Sequence, residues 1–235
     1  MILDETQRDR DRELAALSGV SLKEIESLEI CAPSSIRLYD DALRDPCSKE
    51  DMLQIYKDYQ WLNLKAYLRT LMYTSVERRH PELLQLLRET KGKNCLDFGS
   101  GVGTHAIALC ENGNFVTLLD VSGPLAEFAR KRLVTRRLSF TFIDAEETLP
   151  SSAFDVVICS DVLEHTYDPV AELHRILQSM KEGGILHILV STMIKETSGH
   201  FRESIDRWTR KGEPLLEERF DRISTTLYRK NARSS

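Results

Sequence analysis

Residues 96–103 read Leu-Asp-Phe-Gly-Ser-Gly-Val-Gly. An apolar stretch of Cys95, Leu96 and Phe98 carries one acid, Asp97, before Gly99, Gly101 and Gly103 alternate through a tight turn. The run Thr104-His105-Ala106-Ile107-Ala108-Leu109 follows at once and has helical character. A strand, a glycine turn and a helix N-terminus in that order predict a place where backbone meets a nucleoside ligand. Glycine reaches the positive φ that such turns need and has no Cβ to hold a ligand away.

Working outward, Asn94–Phe98 reads as strand one. Phe115–Val121, Ser139–Asp144, Phe154–Ser160 and Ile185–Ser191 read as strands two to five. Near-continuous apolar runs of this kind suit strands buried on both faces of a parallel sheet. Helical segments fill the gaps. One is predicted to start with Ser122 as N-cap and Pro124 close behind, another with Asp168 as N-cap and Pro169 in the first position. Alternating strands and helices predict a doubly wound α/β fold with right-handed crossovers. In the order 3-2-1-4-5, the short connection Ala145–Ala153 must pass over three strand spacings, roughly 14 Å. About nine extended residues reach roughly 30 Å, so no full helix is needed there. Beyond strand five, residues 199–211 read as helical, and Glu217–Phe220 with Ile223–Tyr228 read as a closing strand pair.

Residues 1–90 have a different texture. Leu14, Leu17, Leu22, Ile25 and Leu28 recur at near-helical spacing. Met52–His80 forms a longer helical pattern, and Pro81 opens another helix. The reading places a helical cover over 1–90 and a ligand-binding core over 91–235, with the boundary at Lys91-Gly92-Lys93. Tyr56, Tyr59, Trp61 and Tyr67 cluster in one predicted helix. Tyr56 and Tyr59 are the expected lid residues facing the ligand cleft.

Composition narrows the classes. With 235 residues, the chain is long enough for one α/β domain plus an appendage. A hydrophobic content of 41%, a charged content of 29% and a net charge of -5 suit a globular protein without the basic footprint of a tight nucleic-acid binder. The longest apolar runs are too short to span a membrane, and Met1–Glu5 has no signal-peptide character. Cys31, Cys47, Cys95, Cys110 and Cys159 form no C-x-x-C pair and read as free thiols in a reducing cytoplasm. No metal-ligand spacing, nucleophile elbow or P-loop is visible, so metal, hydrolase and P-loop chemistries lack support.

In an open α/β sheet the ligand crevice lies at the carboxyl ends of the strands, where strand order reverses. The glycine turn therefore faces Ser160-Asp161-Val162-Leu163-Glu164-His165. Asp120 closes strand two, where a carboxylate can accept hydrogen bonds from both ribose hydroxyls. Asp144 closes strand three, where an acid or its neighbouring amide can read an adenine amine. A dinucleotide fingerprint would need a glycine where Thr104 stands, which disfavours a nicotinamide oxidoreductase.

The series D-x-G-x-G-x-G at 97–103, Leu119-Asp120-Val121, Asp144-Ala145-Glu146, Phe154-Asp155-Val156-Val157, Asp161–His165 and Lys181-Glu182-Gly183-Gly184 resembles the successive motifs of class I S-adenosylmethionine-dependent methyltransferases. The similarity is to the small-molecule branch that includes ubiquinone and menaquinone biosynthesis enzymes, and it covers about 93–191. It implies a Rossmann-like, mostly parallel sheet with an N-terminal helical extension. It also implies S-adenosylmethionine as cofactor and S-adenosylhomocysteine as product. By this resemblance Asp97, Gly99, Ser100, Gly101 and Gly103 accommodate the methionine moiety. Asp120 binds the ribose, Val121 packs on the adenine, Asp144 and Ala145 read its amine, and Ser160 lies by the methionine amino group. His165 is the candidate general base. The expected acceptor is a small molecule methylated at oxygen or nitrogen by a cytoplasmic protein, with a homodimer as a candidate assembly. A macromolecular acceptor (tRNA or protein) and a non-catalytic S-adenosylmethionine-binding partner are the alternatives.

Overall fold

The strand before the glycine turn, β1 (Asn94–Phe98), lies inside a seven-stranded sheet. β2 (Phe115–Asp120) and β3 (Phe140–Asp144) follow on one side of it. β4 (Phe154–Ser160) and β5 (Met180–Leu189) follow on the other. These five strands are parallel. An antiparallel pair, β6 (Phe220–Arg222) and β7 (Leu227–Lys230), completes the order β3-β2-β1-β4-β5-β7-β6. The computed structural model describes residues 1–30, 48–58, 64–77, 80–192 and 202–232.

Register sets the crevice. Phe98 stands opposite Leu119, and Asp120 opposite Asp144, so the acids end their strands at one level. The strand interiors of β1 and β4 are almost wholly buried, as their apolar runs demand. The short 145–153 connection crosses without a helix.

Three details differ from the sequence reading. β5 begins earlier, at Met180, because its register against β4 slips between Phe154 and Val156. Gly183 (φ 71°) and Gly184, whose added Cβ would lie 2.9 Å from the Lys181 carbonyl, permit that irregularity. The closing pair is shifted toward the C-terminus. Pro214 stands in the first turn of a helix over Glu213–Arg219, which buries Leu216 and takes residues 217–219 out of the expected strand. The helix after β2 is capped by Gly123 rather than Ser122.

Among the described residues the α-helices are α1 (Gln7–Ser18), α2 (Leu22–Ser27), α3 (Lys49–Asp58), α4 (Leu64–Glu77), α5 (Pro81–Glu89), α6 (Thr104–Glu111), α7 (Pro124–Thr135), α8 (Pro169–Ser179), α9 (Arg202–Arg207) and α10 (Glu213–Arg219). The helical pattern expected over 52–80 is helical over 49–58 and 64–77, and residues 59–63 and 78–79 of it lie outside the described residues. α1 starts with a capping box between Thr6 and Asp9. Asp168 caps α8 as expected, accepting from the Val170 and Ala171 amides. A wide π turn, Trp208–Gly212, joins α9 to α10, with the Trp208 ring where a side chain on Gly212 would stand. Lys230 reaches into the protein and caps the C-terminus of α8, donating to the Leu177 (2.8 Å) and Met180 (2.7 Å) carbonyls.

The N-terminal helices share the core. Leu14, Ile25, Leu68 and Met72 pack in one cluster with Val102 of the glycine turn and with Leu125 and Phe128 of α7. Leu83 and Leu87 of α5 pack with Cys95, Ala106 and Ile107.

Candidate functional site

The glycine turn is tied to β2 by its own amides. Gly99 N and Ser100 N both donate to the Leu119 carbonyl, at 2.8 and 3.1 Å. Gly99, Gly101 and Gly103 adopt φ of 73°, 52° and 73°, the left-handed region that glycine alone enters at no cost. Their missing side chains serve different ends. A Cβ on Gly99 would meet Val162, and one on Gly103 would lie 3.0 Å from the Ala129 Cβ. A Cβ on Gly101 would meet nothing within 4 Å. Gly101 therefore faces open space, while the other two let the turn pack.

Three acids surround this turn. Asp97, 1% exposed, accepts from the Ala106 amide (3.0 Å) and stands 3.6 Å from His105 Nδ1. It satisfies the N-terminus of α6. Asp120 accepts from Gly101 N (2.6 Å) on one oxygen and Val121 N (2.7 Å) on the other. Burial pushes its pKa up. The two amides oppose that, and the Asp97 and Asp144 charges add to it, leaving the group at about 6. Asp144 accepts from Ser122 N (3.0 Å) and Glu146 N (2.8 Å). Burial would raise its carboxyl too, but hydrogen bonds from Ser122 and Glu146 outweigh it and hold the group low. Ala145 N donates to the Asp120 carbonyl (2.9 Å), closing the β2 and β3 ends together beside Val121. Lys57 of α3 pairs with Glu146 at 2.6 Å, so that helix lies over the same rim.

On the other side of the crevice, Ser160 is buried at the end of β4, and Asp161 follows with φ 55°. A 3-10 turn, Leu163–His165, comes next, with His165 partly exposed and its amide donating to the Val162 carbonyl (2.9 Å). Two residues that sequence reasoning missed brace this turn. Fully buried Glu164 accepts from Ser191 N (3.0 Å) beyond β5. The Ser204 hydroxyl of α9 contacts the Leu163 (3.0 Å) and Thr166 (2.7 Å) carbonyls. Glu164 lay inside a quoted motif, and its placement among apolar residues was the available signal. Ser204 carries none.

A third missed residue, Arg132 of α7, is fully buried. Its Nη1 donates to the Val102 carbonyl (2.5 Å) and Thr104 Oγ1 (3.1 Å), and its Nε and Nη2 hold Glu13 Oε2 of α1 at 3.0 and 2.9 Å. Arg136 also holds Glu13 (2.9 Å), and Ser75 of α4 donates to Thr104 Oγ1 (2.9 Å). The glycine turn is thus gripped from beneath by α1, α4 and α7.

The structure brings Asp97, Gly99, Ser100, Gly101, Gly103, Asp120, Val121, Asp144 and Ala145 together on one side of the crevice, with Ser160 and His165 across it. Tyr56 belongs to α3, but its side chain and the whole of Tyr59 lie outside the described residues. Tyr67 packs against the cluster that contains Val102. Among the described residues no group of three or more His, Cys, Asp or Glu could hold a metal ion, and no helix is long and apolar enough to cross a membrane.

Residues 96–188 match the family model described as a methyltransferase domain. The chain is 32% identical over 108 residues to a ubiquinone biosynthesis O-methyltransferase of Photorhabdus laumondii subsp. laumondii, covering 43% of each. It is 33% identical over 99 residues to a protein of the same description from Coxiella burnetii, covering 41% of this chain and 42% of that one. The chain thus spans less than half the length of these curated relatives. A solved S-adenosylmethionine-dependent methyltransferase from Aquifex aeolicus aligns with a TM-score of 0.49 at 17% identity, over 63% of this chain and 87% of that one. The methyltransferase family implies S-adenosylmethionine as the cofactor.

Proposed function

We propose that this chain, whose residues 96–188 form a class I methyltransferase domain, transfers a methyl group from S-adenosylmethionine to an oxygen of a small-molecule acceptor. The observation that carries the reading is the Asp120 carboxylate, steadied by the Gly101 and Val121 amides at the carboxyl end of β2, beside the β1–β4 crevice. Two features of the turn fit the cofactor. Ser100 Oγ is buried and has no hydrogen-bond partner among the described residues. The Gly101 Cα opens onto free space. The oxygen acceptor is favoured by the printed descriptions of the curated relatives, which are O-methyltransferases.

Bound S-adenosylmethionine supplies an electrophilic methyl on a sulfonium, and its loss leaves a neutral thioether. The protein then has mainly to align and enclose. Asp120 holds the ribose hydroxyls, Asp144 and Ala145 read the adenine amine, and Val121 packs on its ring. Ser100 and Ser160 hold the polar end of the methionine moiety. His165, across the crevice, takes the acceptor hydroxyl proton on its imidazole as the O–CH3 bond forms and the S–CH3 bond breaks. A cytoplasmic location belongs to the same proposal.

Calorimetry with S-adenosylmethionine, followed by transfer of a labelled methyl group to a panel of phenols, catechols and amines, tests the reading. Binding in the micromolar range and methylation of a hydroxyl are expected. Methylation only of amines would move the acceptor to nitrogen. Binding without transfer to any acceptor would favour a non-catalytic partner, and absence of binding would overturn the assignment.

A further inference from the structure

The helix α4 lies across the glycine turn and is fixed there from several directions. Ser75 is bonded to Thr104, the Met72 carbonyl accepts from Arg10, and Arg69 makes a two-pronged bond to Asp11 at 2.8 and 2.7 Å. Tyr67 stands about two turns before Ser75 on this helix. It packs against the cluster of Leu68, Met72, Val102, Leu125 and Phe128. Val102 sits between Gly101 and Gly103, and Leu125 lies in the first turn of the helix that follows Asp120. Tyr67 is therefore packed against a cluster to which both segments flanking the Asp120 carboxylate contribute, and it lies close enough to feel the Asp120 charge. It also lies outside the family match, which begins at residue 96.

We propose that Tyr67 is a cofactor-binding residue supplied by the N-terminal helices, its phenol O–H serving the ribose side of the nucleoside pocket beside Asp120. The inference rests on the methyltransferase reading above. The chemistry is complementary. Each Asp120 oxygen takes one backbone amide, which leaves outward lone pairs for the ribose hydroxyls. A hydroxyl that donates to a carboxylate still has lone pairs of its own, and these call for a donor. Burial and the nearby Asp120 charge push the Tyr67 phenol up to about 12, so it keeps its proton throughout the physiological range.

The test is calorimetry with S-adenosylhomocysteine on the full chain and on Tyr67→Phe, Asp120→Asn and the double variant, with melting temperatures alongside. Tyr67→Phe is expected to weaken binding about fivefold to tenfold at an unchanged melting temperature, the scale of one hydrogen bond. In the Asp120→Asn background the same change should cost less than about twofold, because the two groups act on one ribose. Wild-type affinity in Tyr67→Phe, or a loss that adds in full to that of Asp120→Asn, overturns the proposal. Should Tyr67→Phe melt early, a crystal structure of the wild-type complex decides. Tyr67 Oη within hydrogen-bonding distance of a ribose oxygen or Asp120 supports it, and a greater separation overturns it. A wild-type chain that binds no S-adenosylhomocysteine refutes the methyltransferase reading instead.

Discussion

A Cβ on Gly99 would lie 2.5 Å from Val162 Cγ2, so the glycine turn and the loop after β4 fit together through an absent side chain. The two walls of the crevice are keyed to one another at this point. A change on either wall is transmitted to the other.

The three glycines should therefore respond differently to alanine. Gly99→Ala combines a left-handed backbone with a direct overlap and should cost about 3 kcal/mol or more of stability. Gly101→Ala carries only the backbone strain, about 1–2 kcal/mol, because open space surrounds it. It should nevertheless abolish cofactor binding by filling that space. Denaturant melts and calorimetry on the two variants check this. A Gly101→Ala protein that folds and binds normally would show that the cofactor lies elsewhere.

Asp120 should trade stability for binding. Its carboxyl is raised from the ordinary 3.8 to about 6, so the folded protein holds that proton more tightly than the unfolded chain. Ionising it weakens the fold progressively as pH rises from about 4 to 6. Asp120→Asn removes that charge and should gain up to about 3 kcal/mol above pH 6, with the gain vanishing below pH 4. The same variant should lose at least about tenfold in S-adenosylmethionine affinity. Wild-type affinity should fall as pH drops through about 6, since the ribose hydroxyls need the carboxylate. Melting curves and binding isotherms from pH 4 to 8 test both halves.

Glu13 is held ionised under the opposite sign. Burial would raise its pKa, but Arg132 and Arg136 outweigh that and keep it low. Its contribution to stability is present above the usual carboxylate range and is lost as pH falls through its lowered value. Glu13→Gln leaves the Arg132 guanidinium buried without a counter-charge and should cost about 3–5 kcal/mol at pH 7. The difference from wild type should narrow in acid. An unchanged midpoint in urea at neutral pH would mean that the pair is solvated.

His165→Gln separates chemistry from architecture. As the general base, it should lower turnover by roughly 10²–10⁴ with S-adenosylmethionine affinity unchanged, and the deficit should shrink at high pH as the acceptor ionises unaided. Ser204→Ala is the control, since it loosens the same 3-10 turn without touching the imidazole. If Ser204→Ala reproduces the pH-dependent loss, His165 acts only as part of the turn.

The parts legible in the sequence were those governed by local chemistry. Alternating glycines after an apolar run, Asp168 before a proline, and acids closing β2 and β3 each state their role within a few residues. The strand order 3-2-1-4-5 was a premise of the doubly wound reading, and the short 145–153 connection was long enough to be compatible with it. What stayed hidden depends on distant partners. Nothing near Arg132 announces that it will be fully buried, because Glu13 and Val102 reach it from other parts of the chain. Ser204 has no pattern, and its role comes from carbonyls left over at a 3-10 turn. The first closing strand was placed too early because nothing within Glu217–Phe220 shows that the helix opened at Pro214 runs on to Arg219.

The Glu13–Arg132 pair joins residues 119 positions apart. During synthesis α1 emerges long before α7 exists. At ribosomal rates of about 5–20 residues per second, it waits roughly 6–24 s for its counter-ion. A six-to-twelve-residue helix is marginal alone in water, so α1 and α2 must spend that interval largely unformed. A segment made well before its partner is among the last to settle. Chaperone dependence of this protein in the cell should accordingly concentrate on α1 and α2 rather than on the sheet.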